Sequence, residues 1–332
     1  MLYAVGYTVN LFLTFLILKL FIMKNSNFDF DARVNEVLVN HNLDFTVDKV
    51  QMVAPKVMMG VNELGELTEL TQYIHTPYFA LMNSKSGEVI NSVKKGYTVS
   101  QNKEVVELVL RGMEPFGDKL DITKGGSLNG GRRIFLQLGI EGDGFVNGDR
   151  IKRFVTIVDS NDGSTGLSIG IGDTTMSCLN QMFYFYKLGH RMRHTYSISE
   201  KMNAIPMMIE TALAESMKKI ELYQKMEGVK ITDADIHNMV LQHIAVSKKS
   251  PIIDLSEAST RVINSMESLY ANIYKEIGSK GRNVWGLHSG VTSWTTHDKS
   301  APRRENGRLE GLMVGTNYRT NQKSFDFALD LL

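Results

Sequence analysis

Closely spaced Asn, Asp and Gly residues divide residues 125–171 into short apolar runs. The turn-forming stretches are 141–149 and 159–166, and they separate strand-like runs at 134–140, 151–158 and 167–171. Asn-Gly and Asp-Gly connections favour tight hairpin turns whose twist matches that of paired antiparallel strands. The stretch therefore predicts three antiparallel strands. The apolar and aromatic run at 178–186 predicts a helix after them, which completes a β-β-β-α core.

The flanking sequence alternates between helical and extended patterns. Helical spacing of apolar residues predicts helices at 28–45, 102–110, 205–226, 232–246 and 258–277, and extended structure is expected at 47–60 and 89–93. We therefore expect an α+β fold with an antiparallel sheet and a helical C-terminal half. A core domain is expected over residues 23–200, and a mainly helical region over 201–332 is expected to pack on it.

Composition limits the classes of function. The net charge of +1 means that any nucleic-acid-binding surface must be a local basic patch. Cys178 is the only cysteine, which excludes intramolecular disulfides and cysteine-rich zinc sites. A single cysteine suits a reducing compartment, and the host cytoplasm is the expected location.

Residues 1–22 are apolar and close to the roughly 20 residues that a membrane span needs. They lack the basic start and the small-residue cleavage site of a secretory signal. The Met23-Lys24-Asn25-Ser26 stretch resembles a natural protein start. We interpret residues 1–22 as translation from an over-extended gene start, with a membrane anchor as the alternative. We therefore expect no membrane partner unless this segment is made.

A glycine-rich stretch ends in two arginines, Arg132 and Arg133. Its glycines are Gly125, Gly126, Gly130 and Gly131. No Gly-Lys-Ser/Thr ending follows, and a strand is predicted where a phosphate-binding loop needs a helix, so nucleotide-binding loops are excluded. Two interpretations remain. The glycines shape a loop beside solvated arginines, or this loop closely approaches a polyanion whose phosphates bind both guanidinium groups.

More basic residues lie on the next predicted strand, namely Arg150, Lys152 and Arg153. We expect this strand to pair with the one that follows Arg133, which would gather five cations on one hairpin. Like charges on neighbouring strands repel, and an anionic ligand over them would explain such a cluster.

A second basic segment, residues 187–196, follows the aromatic run. Its candidate contacts are Arg191, Arg193 and Tyr196, with His194 as a further residue that could stack on bases. The alternative is a solvated helix end, where cations favour the helix dipole.

Metal binding has weaker support in the sequence. His190 and His194 have helical i, i+4 spacing, but no third ligand accompanies them. Asp159 and Asp162 are explained as turn formers, whereas Asp173 is not. We therefore expect no metal or other cofactor and no catalytic residues.

Three motifs together resemble a known family. They are the stretches 126–135, 159–164 followed by 178–180, and 285–292 with His297. In order and spacing they are similar to the uncharacterised phage/plasmid-like protein family found on bacteriophages, prophages and conjugative plasmids. The family usually has an arginine before its Cys-Asn motif, where this chain has Thr175-Met176-Ser177. The resemblance implies no settled activity.

The predicted core is also reminiscent of single-strand annealing recombinases, which is an analogy of fold. The leading hypothesis is a phage or mobile-element protein that binds single-stranded nucleic acid as a homo-oligomer in annealing, recombination or replication. No nucleophile–base pair is recognisable in the sequence, which favours a binding protein over an enzyme. One alternative is a metal-dependent phosphoryl-transfer enzyme or nuclease in which the three aspartates and one of the histidines hold a divalent metal. The other is a non-enzymatic virion or host-interaction protein.

Overall fold

The computed structural model describes residues 29–61, 63–185, 191–244, 246–247, 250–251, 258–304 and 306–332. The chain has the α+β fold expected from the sequence, with antiparallel sheets followed by a helical C-terminal half. The apolar segment 1–22 and the start of the second basic segment, residues 187–190, lie outside the described residues. Among the residues that are described, no helix is both long and apolar enough to cross a membrane.

The N-terminal half contains helix α1 (residues 29–40) and most of the strands. Its further elements are β1 (Val47–Val61), β2 (Leu67–Asn83), β3 (Val89–Lys94), α2 (Asn102–Met113), a 3-10 helix (Glu114–Lys119), β4 (Leu120–Leu128), β5 (Arg133–Ile140), β6 (Gly144–Val146), β7 (Asp149–Ser160), β8 (Leu167–Thr175), β9 (Asn180–Phe185) and β10 (Arg191–Met192).

The remaining chain is mainly helical. Its elements are α3 (Ile198–Met202), α4 (Ile205–Gly228), α5 (Asp233–Ile244), β11 (Val246–Ser247), β12 (Ser250–Pro251), α6 (Thr260–Lys280), α7 (Val284–Ser293), a π-helical turn (Trp294–Asp298), α8 (Gly307–Met313) and α9 (Thr316–Asp330). The helices predicted at 205–226 and 258–277 are confirmed as α4 and α6. Helix α4 ends two residues later than predicted, and α6 begins two residues later and ends three residues later.

The main sheet has the strand order β10-β8-β7-β5-β4, with β6 added to β7 and β9 added to β8. The three predicted strands are confirmed as β5, β7 and β8, paired antiparallel in chain order. The helix predicted at 178–186 is wrong, because this run forms β9 and pairs with β8 from Gly170 to Thr175. Met182 and Phe183 point to opposite faces and are both buried, and a strand covered on both faces reads as a continuous apolar run.

Beside the main sheet, β1, β2 and β3 form a smaller antiparallel sheet. Strand β1 is at its edge, a position that tolerates Pro55 because proline has no N–H to donate to a neighbouring strand. Strand β3 pairs with β2 only from Tyr78 to Met82, so most of the β1–β2 hairpin extends beyond it.

Two large apolar cores lie on either side of the middle of α4. Ile205 and Ile209 belong to a core with α1, α2 and the strands, whereas Tyr223 and Met226 belong to one with α5, α6, α7 and α9. The domain boundary at 200/201 stays a prediction, but α4 joins both cores. A third, smaller cluster covers the sheet with α8 through Leu312 and Met313.

Helix α2 begins at Asn102, where the sequence predicted a helix to start. Gln101 is its N-cap and forms a capping box with Glu104. The Asn102 side chain is buried and donates hydrogen bonds to the carbonyl groups of Leu43 and Phe45, 3.0 Å each. Asn102 therefore ties α2 to the segment between α1 and β1.

Candidate nucleic-acid interface

Arg133 is held by carboxylates at the end of the main sheet. Its guanidinium donates to Glu310 of α8 and to the Ser164 hydroxyl at 2.6 Å, and it lies 3.7 Å from Asp162. The other oxygen of Glu310 accepts from Arg304 at 2.6 and 2.9 Å. Arg133 is thus part of a half-buried ionic network that attaches α8 to the sheet, and its charge is already compensated by protein groups.

The cations of strand β7 do not form one surface. Arg150 is exposed and paired with Asp143, and Lys152 is exposed. Arg153 is buried, and its guanidinium donates to the Ser216 hydroxyl at 3.2 Å and to the Gly142 carbonyl at 3.1 Å. Burial lowers the pKa of Arg153, and the nearby charge of Asp143 opposes this effect. Arg153 therefore joins β7 to α4 and cannot contact a ligand in solution.

The two basic groups also lie at opposite ends of β7. Arg133 pairs with Ser160, whereas Arg153 lies seven residues earlier on β7 and pairs with Asp173. At about 3.3 Å per residue, this separates them by about 23 Å along the strand. The structure therefore does not bring together the five cations that the sequence analysis placed on one hairpin.

The predicted glycine loop is also divided. Gly125 and Gly126 lie within β4 and pair with Leu136 and Phe135, so their assignment to a loop is wrong. They are strand residues because the hairpin turn starts only after Leu128. Gly130 and Gly131 do form the β4–β5 turn, with φ angles of 67° and 89° that favour glycine.

Hydrogen bonds connect this turn to the β7–β8 turn. Asn161 donates its backbone N–H to the Arg132 carbonyl at 2.8 Å and its side-chain amide to the Gly131 carbonyl at 3.0 Å. Arg191 of β10 donates to the Ser164 carbonyl in the β7–β8 turn at 3.5 Å. The two turns and β10 therefore form one continuous surface at the end of the sheet.

Several predicted contact residues remain exposed on or beside this surface. Their side chains are those of Arg132, Arg191, Arg193 and Tyr196. Tyr196 is 92% exposed, which leaves both faces of its ring open to a ligand. We call these four residues the turn patch. It is smaller than the predicted cluster, but it combines three guanidinium groups with an accessible aromatic ring.

His194 is not available for stacking on bases, because it is buried inside the protein. Its Nε2 lies 2.8 Å from Asp159 Oδ1, and its ring stacks on Tyr97 at 5.0 Å between centroids. Burial alone would lower the pKa of His194, but the hydrogen bond and negative charge of Asp159 outweigh this effect and raise it. The pair fixes the segment after β10 to the end of β7.

Ser100 completes a buried Ser-His-Asp group that sequence reasoning missed, since its members are far apart in the chain. The Ser100 hydroxyl donates to Asp159 Oδ2 at 2.5 Å and lies 3.4 Å from His194 Nδ1. Ser100 and Asp159 are each 1% exposed. A hydroxyl bonded to the carboxylate and closed off from solvent cannot attack a substrate, so the group has a structural role.

The three aspartates proposed as metal ligands are separated. Asp159 pairs with His194, Asp162 lies near Arg133, and Asp173 binds Lys219 at 2.8 Å. Tyr223 also donates to Asp173, at 3.0 Å. Within the described part of the chain, no three His, Cys, Asp or Glu residues are placed to share a metal ion. The metal-dependent enzyme hypothesis is therefore left without its predicted ligands.

The tryptophan-containing motif at 285–292 lies in helix α7, and every residue of α7 is buried. A Cβ atom on Gly290 would overlap the backbone of Ile273, so this glycine permits close contact between α7 and α6. His288 is buried beside Tyr223, with its Nδ1 2.9 Å from the Ser324 hydroxyl. These motif residues support packing of the helical half.

The Cys-Asn motif and His297 meet at the β8–β9 turn. His297 Nε2 lies 3.0 Å from the Cys178 carbonyl and 3.2 Å from Asn180 Oδ1. Cys178 and His297 border a cavity of about 460 Å³ that is also lined by Lys280, which is bound to Asp149. Burial raises the pKa of the Cys178 thiol, which disfavours a reactive thiolate. The motif residues therefore join the sheet to the π-helical turn after α7.

These features define an α+β protein in which buried ionic and polar networks attach a helical half to an antiparallel sheet. The chain belongs to the DUF932 family, a domain of unknown function, whose family model matches residues 89–324. This confirms the resemblance to an uncharacterised family. Searches of curated proteins and of solved structures found no match.

Proposed function

We infer that this protein binds single-stranded nucleic acid at the turn patch. The observation that carries this proposal is that Arg132 in the β4–β5 turn, Arg191 on β10, and Arg193 and Tyr196 directly after β10 all have exposed side chains. Guanidinium groups bind phosphates in a charge-assisted, often bidentate way, and an open aromatic ring stacks on any base. This combination favours a single strand, because the bases of a duplex are already stacked.

The small number of cations in the turn patch predicts a modest dependence of binding on salt concentration. Three phosphate contacts predict a slope of about −2 for the logarithm of the association constant against the logarithm of salt concentration. Arg133 and Arg153 are excluded from the contact set, because both are already engaged by protein groups. A role in annealing, recombination or replication of a phage or mobile element, in the host cytoplasm, is part of the proposal.

The separation of the two basic groups provides a matched test. Fluorescence anisotropy with a labelled single-stranded DNA would compare Arg132→Glu/Arg191→Glu with Arg150→Glu/Lys152→Glu. Both variants reverse two exposed cations, but at opposite ends of β7. We expect the first to raise the Kd by about 100-fold, from two charge-assisted contacts of about 1.5 kcal/mol each. The second should stay within a few-fold of the unsubstituted protein.

Circular dichroism would establish that both variants keep their fold. Equal losses of affinity in the two variants would indicate non-specific attraction to positive charge and would contradict the assignment of the site. Unchanged binding of the Arg132→Glu/Arg191→Glu variant would also reject the turn patch. In a further variant, Tyr196→Ala should weaken binding by about 1–3 kcal/mol if a base stacks on this ring.

A further inference from the structure

The β1–β2 hairpin forms an arm that extends well away from the rest of the small sheet. Nine consecutive residue pairs, from Val53–His75 to Val61–Leu67, lie beyond the part of β2 that pairs with β3. At about 3.4 Å per residue, these pairs span about 30 Å. None of the described residues from 52 to 78 is buried. The arm also precedes residues 89–324, which match the family model.

One face of the arm is strongly apolar. Directly paired residues of an antiparallel ribbon share a face, and successive residues alternate between faces. The register therefore places on one face Val53, Pro55, Val57, Met59, Val61, Leu67, Thr71, Tyr73 and His75, with Glu69 as its one carboxylate. Val57, Met59, Val61, Leu67 and Tyr73 are each at least 60% exposed. The opposite face also has apolar residues, but the polar residues Lys56, Gln72 and Thr68 lie between them.

Such a face is unfavourable in water. An isolated two-stranded ribbon is marginally stable, and a contiguous exposed apolar surface typically marks an interaction site. On the rest of the described chain, large exposed apolar side chains occur only one or two to an element, as with Phe145 on β6 and Met207 and Met217 on α4. The described surface therefore offers no apolar patch that matches the arm, except the arm of another copy.

The charges along the arm favour one orientation of two copies. Its tip contains Glu63 and Glu66, and Glu69 lies close to the tip. Lys56 lies near the middle, and the exposed Lys94 and Lys95 lie at the base, where β3 ends. Antiparallel arms place each acidic tip beside the basic end of the other copy. Parallel arms would bring six carboxylates together.

We propose that two copies of this chain associate through their β1–β2 arms, apolar face against apolar face, antiparallel about a two-fold axis near Val57. The same surface serves both copies, so the assembly closes at two chains. This inference does not depend on nucleic-acid binding, because the turn patch and the arm share no residues.

Analytical ultracentrifugation of the full chain would test the proposal with two matched substitutions. Val57→Glu and Gln72→Glu each add one carboxylate near the middle of the arm, on its apolar and its opposite face respectively. The unsubstituted protein and Gln72→Glu should have twice the chain mass of 37.3 kDa. Val57→Glu should have the mass of one chain at the same concentration.

Four results would overturn the inference: a single-chain mass for the unsubstituted protein, an assembly of more than two chains, an unaltered mass for Val57→Glu, or dissociation of Gln72→Glu.

Cross-linking with a short bis-maleimide, in a Cys178→Ser background, would test the orientation of the two arms. Val57→Cys should cross-link efficiently, whereas Val61→Cys should not, because antiparallel arms separate the two copies of residue 61 by about 27 Å. Cross-linking through both positions would contradict the antiparallel arrangement.

Discussion

The buried pair between Lys219 of α4 and Asp173 of β8 allows a quantitative test of how the helical half is attached to the sheet. The two side chains are each 6% exposed, and Lys219 Nζ lies 2.8 Å from Asp173 Oδ2. Substitution Asp173→Asn would leave the ammonium group buried without this carboxylate. Removing one partner of a buried ion pair typically costs about 3–5 kcal/mol.

The lower end of that range is expected here. Lys219 Nζ also lies 5.4 Å from the ring centroid of Tyr223 and 5.7 Å from that of Phe325, and both cation–π contacts would persist in the variant. A loss of about 3 kcal/mol should lower the Tm by about 6 °C, at about 2 °C per kcal/mol for a protein of this size. Lys219→Met should have a comparable effect, since it leaves Asp173 buried beside the Tyr223 hydroxyl.

Thermal unfolding followed by circular dichroism would measure these shifts in a double-mutant cycle. The variant with both substitutions, Asp173→Asn/Lys219→Met, contains no buried charge at this position, so it should be less destabilised than the sum of the single variants. The control is Lys218→Met, which removes a neighbouring lysine that is 66% exposed and paired with Glu215. This surface pair should contribute less than about 1 kcal/mol. Additive effects, or equal shifts for Lys218→Met and Lys219→Met, would refute the reasoning.

Two further predictions concern pH. The pKa of His194 is raised by Asp159 despite burial, so its stabilising effect is fully present below the unfolded-state pKa of about 6.5 and is lost as pH rises through the folded-state value. The stability difference between the unsubstituted protein and His194→Gln, measured by urea unfolding, should therefore be larger at about pH 6 than at about pH 9; a constant difference would contradict this. Burial, with a contribution from Lys219, lowers the pKa of His288 to about 3. A lowered folded-state pKa has the opposite effect, because stability is lost as pH falls below the unfolded-state pKa. Acidification from about pH 6.5 to 4.5 should therefore cost about 2.3 kcal/mol, and His288→Gln should remove that loss. An equally steep loss in His288→Gln would exclude His288 as its source.

The sequence was informative where structure is determined locally. Asn147-Gly148 and Asp162-Gly163 are turn formers whatever surrounds them, so the hairpins could be located from the chain alone. Helical spacing of apolar residues identified α4 and α6, because apolar residues must repeat with the period of the helix to form a buried face. The run at 180–185 was assigned wrongly because a strand buried on both faces and a buried helix have the same apolar pattern.

The candidate site depended on contacts that local sequence does not encode. Arg133 meets Glu310, which is 177 positions away in the chain, and this contact makes a predicted phosphate ligand a structural residue. His194 is buried against Asp159 for a similar reason.

By itself, the sequence determined the α+β class, the hairpins and most helices of this protein, because turn chemistry and apolar periodicity act over a few residues. Only the tertiary structure decided which charges remain available to a ligand, because strand register and helix packing set the distance between groups that are remote in the chain. They place Arg153 and Asp173 in the interior, leave Arg132, Arg191 and Arg193 exposed, and extend the apolar arm into solvent.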